Sequence, residues 1–83
     1  MTQLAQPQTQ EPELNWKPLE KLFSVEECSF FMHMGRSGEI EIYKHRETWH
    51  SLNIHAVSGE FYLYSNGSYL KVSKAAALAY VFG

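Results

Sequence analysis

Phe61-Tyr62-Leu63-Tyr64-Ser65-Asn66-Gly67-Ser68-Tyr69-Leu70-Lys71-Val72 reads as a complete β-hairpin, and its register decides how the rest of the chain is arranged. Asn-Gly is the favoured pair for a two-residue type I′ turn, because both central residues take positive φ. A turn at Asn66-Gly67 sets Leu63 opposite Leu70, Phe61 opposite Val72, Tyr64 opposite Tyr69 and Tyr62 opposite Lys71. Each cross-strand pair matches in kind. One side of the predicted sheet is therefore aliphatic or phenylalanine, and the other tyrosine or lysine.

Two alternating stretches lie upstream, Glu39-Ile40-Glu41-Ile42-Tyr43-Lys44-His45 and Trp49-His50-Ser51-Leu52-Asn53-Ile54-His55, each with the period of a half-buried strand. Keeping Ile40 and Ile42 on the side of Leu52 and Ile54 calls for an odd number of loop residues, Arg46-Glu47-Thr48 or a five-residue version. Ser58-Gly59 marks the next turn, where a two- or four-residue loop aligns Leu52 and Ile54 with Phe61 and Leu63. The expected strands are 39–45, 49–55, 60–65 and 68–72.

Helices are expected on either side of this meander. Ser24-Val25-Glu26-Glu27 has the capping-box spacing, and Val25, Cys28, Phe31 and Met32 form an apolar stripe, so a helix is predicted from Val25 to Met34 with Gly35 as its stop. His33 would lie at its C-terminal end, where a cation meets the dipole favourably. Ser73 caps an alanine-rich helix from Lys74 to Phe82. Before the first helix, Leu14 to Phe23 reads as an irregular arm with one helical turn at Pro18. The fold class is α+β: N-terminal helix, four-stranded antiparallel β-meander and C-terminal helix. Both helices pack on the face made by Ile40, Ile42, Leu52, Ile54, Phe61, Leu63, Leu70 and Val72.

Residues 14–83 form the single domain. Met1 to Glu13 holds four Gln, two Pro and two Glu with little apolar content, and is expected to be a disordered tail. The net charge of −2 comes from Glu11 and Glu13, since the remainder balances seven Lys or Arg against seven Glu. A neutral fold argues against binding driven by phosphate counterion release. With one cysteine, Cys28, there is no intrachain disulfide. No basic segment followed by an apolar run opens the chain, and the longest apolar stretch is too short to span a bilayer. Cytoplasmic residence without membrane insertion is the expectation.

Alternation places Glu39, Glu41, Tyr43, His45, Trp49, Ser51, Asn53, His55, Tyr62, Tyr64, Tyr69 and Lys71 on the face away from the helices. Rings with polar tips are enriched at interface hot spots, so Tyr43, His45, Trp49, His55, Tyr62, Tyr64, Tyr69 and Lys71 are the candidate partner-binding residues. The same rings are also good strand formers that stabilise a small sheet. Lys44, Arg46 and His50 gather near one hairpin and form a candidate contact for an anion or acidic partner. A protein partner or a second copy of the chain fits the neutral charge best. Single-stranded nucleic acid stacking on the same rings is the alternative.

The four histidines lack zinc-ligand spacing, and the chain contains no Asp. No metal, cofactor or catalytic residue is assigned. The reading is a non-enzymatic interaction module, an accessory or regulatory subunit.

Overall fold

The computed structural model describes residues 14–83, so the tail assigned to Met1–Glu13 lies outside the described residues. The elements are α1 (Lys17–Glu20), α2 (Val25–Cys28), β1 (Phe31–Ser37), β2 (Ile40–His45), β3 (Ser51–His55), β4 (Phe61–Ser65), β5 (Ser68–Val72) and α3 (Lys74–Phe82). The strands form one antiparallel sheet in sequence order, β1-β2-β3-β4-β5. The α+β class holds, with five strands in place of four.

The extra strand replaces most of the expected first helix. The capping box forms, with Ser24 Oγ accepting from Glu27 N at 3.1 Å and Glu27 Oε1 accepting from Ser24 N at 2.9 Å. The helix nevertheless ends at Cys28, and Val25 of the expected stripe is exposed. Phe31 and His33 instead face the core from β1, because an apolar run this short fits either period and pairing with β2 satisfies its backbone. Gly35, expected as a helix stop, sits beside a bulge at φ +145°. Gly38, at φ +60°, begins the two-residue turn into β2, as a type II′ hairpin requires.

The β4–β5 hairpin has the predicted register throughout, with Asn66 and Gly67 both at positive φ. The β2–β3 hairpin does not. Tyr43 pairs with Leu52 and Glu41 with Ile54, so Glu41, Tyr43 and His45 point into the core while Ile40 and Ile42 point away from it. Four loop residues, Arg46 to Trp49, separate the last paired residues, His45 and His50. An even loop inverts the expected parity.

The reason lies in a loop design used twice. His45 Nδ1 accepts from the backbone N–H groups of Glu47 (3.2 Å) and Thr48 (3.3 Å), and His55 Nδ1 does the same for Val57 (3.3 Å) and Ser58 (3.2 Å). Thr48 Oγ1 then accepts from His50 N, as Ser58 Oγ accepts from Glu60 N, each at 3.2 Å. The fourth loop residue is left-handed in both, Gly59 at φ +78° and Trp49 at φ +65°.

All the helices lie on one face. Leu19 of α1, Phe31, Tyr43, Leu52, Ile54, Phe61, and Ala77 and Val81 of α3 form one buried cluster, with Trp16, Leu22, Phe23, Cys28, Val72 and Leu78 packed around it. Small Ala77 lets α3 approach β2, β3 and β4 closely. Ser73 caps the helix as expected, accepting from Ala76 N at 3.1 Å.

A buried polar group closes the β1 end of this core. Glu41 Oε1 accepts from His33 Nε2 at 2.7 Å and Oε2 from Arg36 Nε at 2.8 Å. Burial alone would raise the Glu41 pKa, but the hydrogen bonds from His33 and Arg36 outweigh it and hold the carboxyl below its ordinary value. Trp16 and Tyr43 rings flank His33, at 6.0 and 5.3 Å between centroids. Tyr43 donates its hydroxyl to Asn15 O at 2.5 Å, tying the N-terminal arm to the sheet.

Candidate functional site

With every helix on the other side, β1 to β5 present one face on which no described element packs. The pairing places Ile40, Ile42, Lys44, Ser51, Asn53, His55, Tyr62, Tyr64, Tyr69 and Lys71 there, with Met32 opposite Lys44 on β1. The face forms a groove of about 600 Å³ between the Ser37 end of β1 and the Gly67-Ser68 turn. Ile42, Ser51 and Asn53 lie along it, and Tyr64 and Tyr69 stand at its side with ring centroids 5.0 Å apart, edge to face.

Its polar groups are ordered. Asn53, buried beneath the groove, donates from Nδ2 to Tyr62 O at 3.0 Å. Lys71 Nζ lies 2.7 Å from Glu60 Oε2, and that hydrogen bond holds the Glu60 carboxyl below its ordinary value while raising the Lys71 ammonium. Both groups are solvated, so the pair orients side chains more than it stabilises the fold. Tyr62 donates its hydroxyl to the same carboxylate at 3.5 Å.

Of the residues expected on this face, Tyr62, Tyr64, Tyr69, Lys71 and His55 are there. Tyr43 and His45 are not; the inverted β2 parity buries both on the core face, and their place is taken by Ile40 and Ile42. Trp49 lies in the β2–β3 loop, 64% exposed, with Lys44 Nζ 5.6 Å from its ring centroid. The Lys44, Arg46 and His50 cluster is dispersed. Arg46 Nε donates to Ser29 O beyond α2 at 3.2 Å, and His50 Nδ1 donates to Tyr80 O of α3 at 2.7 Å while its ring stacks on Tyr80. These side chains close helix ends.

Sequence reasoning missed Met32, Ile40 and Ile42 as surface residues. A signal for the last two was present in the repeated pattern His45-x-x-Thr48-x-His50 and His55-x-x-Ser58-x-Glu60. Gly59 in the second copy marks a four-residue loop, and the same loop in the first copy sets the β2 parity.

The backbone at Trp49 makes the exposed ring informative. A bulky residue in the left-handed region costs roughly 1 kcal/mol relative to glycine, and Gly59 occupies the equivalent position in the second loop. Trp49→Gly is expected to raise the unfolding free energy by about 1 kcal/mol, because it relieves that strain and removes little buried surface. Urea unfolding checks this. A loss of stability would mean that the ring's contact with Lys44 outweighs the strain.

Among the described residues, no group of three His, Cys, Asp or Glu side chains is placed to hold a metal, and no helix is long and apolar enough to cross a membrane. No protein-family model, curated protein or solved structure matches the chain.

Proposed function

We propose that this protein is a non-enzymatic interaction module that binds a protein partner through the open face of its sheet, in the role of an accessory or regulatory subunit. The observation that carries this reading is the composition of that face. Ile42, Tyr64 and Tyr69 line a groove on which no described element packs, and Ile40 and Tyr62 lie on the same face of the sheet. Apolar side chains beside amphipathic rings are what a desolvated interface centre uses, and Lys44, His55 and Lys71 supply a polar rim. Strained, exposed Trp49 beside Lys44 extends the same surface. Such a module works in the cytoplasm without a cofactor.

One observation favours a second reading, single-stranded nucleic acid. Glu41 leaves the open face for the core, so the three tyrosines and two lysines there meet fewer carboxylates than strand parity had implied. The pairing of Lys71 with Glu60 weighs against it.

A benzophenone amino acid placed at Tyr64, with Glu26 on the helical side as control, separates these readings in cells producing the protein. The expected result is a discrete protease-sensitive adduct at position 64, absent at 26 and lost when Tyr62 and Tyr69 are changed to Ser. A nuclease-sensitive adduct would transfer the reading to nucleic acid, and equal labelling at both positions would overturn the face assignment.

A further inference from the structure

The strand order leaves β1 and β5 at the two edges of the sheet. They differ in how well they can accept another strand. β1 is interrupted by its irregularity between His33 and Gly35 and commits Arg36 to Glu41. β5 runs without interruption from Ser68 to Val72, contains no proline, and pairs with β4 in one continuous register. A regular edge of this kind templates pairing with a further chain.

The two-residue turn determines which backbone groups of β5 face outward. Ser65 and Ser68 flank it and exchange both hydrogen bonds, so Leu70 and Val72 also bond to β4 while the N–H and C=O groups of Tyr69 and Lys71 point away. We propose that two copies of this chain join β5 to β5 antiparallel about a two-fold axis through Leu70. Tyr69 of each copy then exchanges both backbone bonds with Lys71 of the other, and every outward group of these residues is satisfied.

The side chains fit the same axis. Leu70, 54% exposed, meets its own counterpart in a non-hydrogen-bonded pair, the arrangement in which facing side chains lie closest. On the open face Tyr69 lies opposite Lys71, an ammonium beside a phenol ring, twice by symmetry. Lysine on an edge strand ordinarily deters pairing, but Lys71 is neutralised by Glu60 within its own chain, 2.7 Å away. An axis through Lys71 would oppose two ammonium groups, and one through Tyr69 would set Leu70 against Ser68. Leu70 is the register that complements itself.

This pairing is made by the backbone of β5 and borders the surface proposed for a partner, sharing Tyr69 and Lys71 with its edge. Pairing would extend the sheet from one copy into the other and align their open faces.

The test is a cysteine scan in a Cys28→Ser background. Leu70→Cys places two Cβ atoms within disulfide range across the axis, whereas Tyr69→Cys leaves its Cα atoms about 8 Å apart, beyond that range. Mild oxidation is expected to give a covalent dimer at position 70 about tenfold faster than at position 69, the difference following from that geometry. Sedimentation equilibrium of the unaltered chain should show mass rising with concentration from 9.6 kDa toward twice that value. Lys71→Pro removes one outward N–H without touching a β4 bond, and should abolish the rise while keeping the circular-dichroism spectrum. A monomer at millimolar concentration would overturn the proposal, as would cross-linking at 69 equal to that at 70; neither readout depends on the proline variant folding.

Discussion

Glu41→Ala is expected to lower the unfolding free energy by about 3 kcal/mol, a large share of the stability available to a domain of this size. The side chain is 3% exposed and receives hydrogen bonds from His33 and Arg36, so its removal strands a buried imidazole nitrogen and takes an acceptor from the Arg36 guanidinium. The effect falls at the low end for a broken buried pair because the Arg36 side chain is 38% exposed and can turn to water. Glu41→Gln keeps the shape and one acceptor, and should cost about half as much.

The same group gives the fold a pH dependence of known sign. The Glu41 pKa is lower in the folded chain than in the unfolded one, so the unfolded state binds more protons as pH falls. Its contribution is fully present above the ordinary carboxylate pKa and disappears as pH drops through the folded value. Urea midpoints between pH 6 and pH 3, settings chosen to span the ordinary carboxylate value of about 4.3, should fall for the natural chain and fall less for Glu41→Gln. Parallel curves for the two proteins would show that the carboxylate is not ionised within this cluster.

Tyr43→Ala is expected to cost about 4 kcal/mol and Tyr43→Phe about 1 kcal/mol. The ring is completely buried at the centre of the core, and burial together with the nearby Glu41 carboxylate pushes its phenol pKa far above the ordinary tyrosine value. The hydroxyl remains a donor and holds Asn15 O, so the phenylalanine variant releases the arm without opening the core. Hydrogen exchange checks the distinction. Protection should fall in residues 14–20 of Tyr43→Phe while β2 and β3 stay protected. Had Tyr43 belonged on a solvated face, as strand parity implied, either change would cost a few tenths of a kcal/mol.

Local chemistry made some of this molecule legible and hid the rest. Asn66-Gly67 admits one common turn, and Ser73 before an alanine-rich run admits one start, so the last hairpin and last helix could be read directly. So could Tyr62, Tyr64, Tyr69 and Lys71 on the open face. Glu39 to His45 was ambiguous because both phases alternate. Glutamate is outward by default, and only partners on another strand make its burial favourable. His33 and Arg36 are those partners, and a helical reading of Phe31 to Met34 hides them.

By itself the sequence determined the α+β class, the antiparallel order of the last four strands, the register across Asn66-Gly67 and the start of α3 at Ser73. All of these follow from turn chemistry, caps and a period of two, which act over a few residues. Only the tertiary structure decided that residues 31–37 are a strand, that Glu41 and Tyr43 are core, and that Ile40 and Ile42 share the surface with the tyrosines. Those outcomes depend on hydrogen bonds and burial supplied by distant segments, and only the β2 parity leaves a local trace, in the loop pattern shared by His45 and His55.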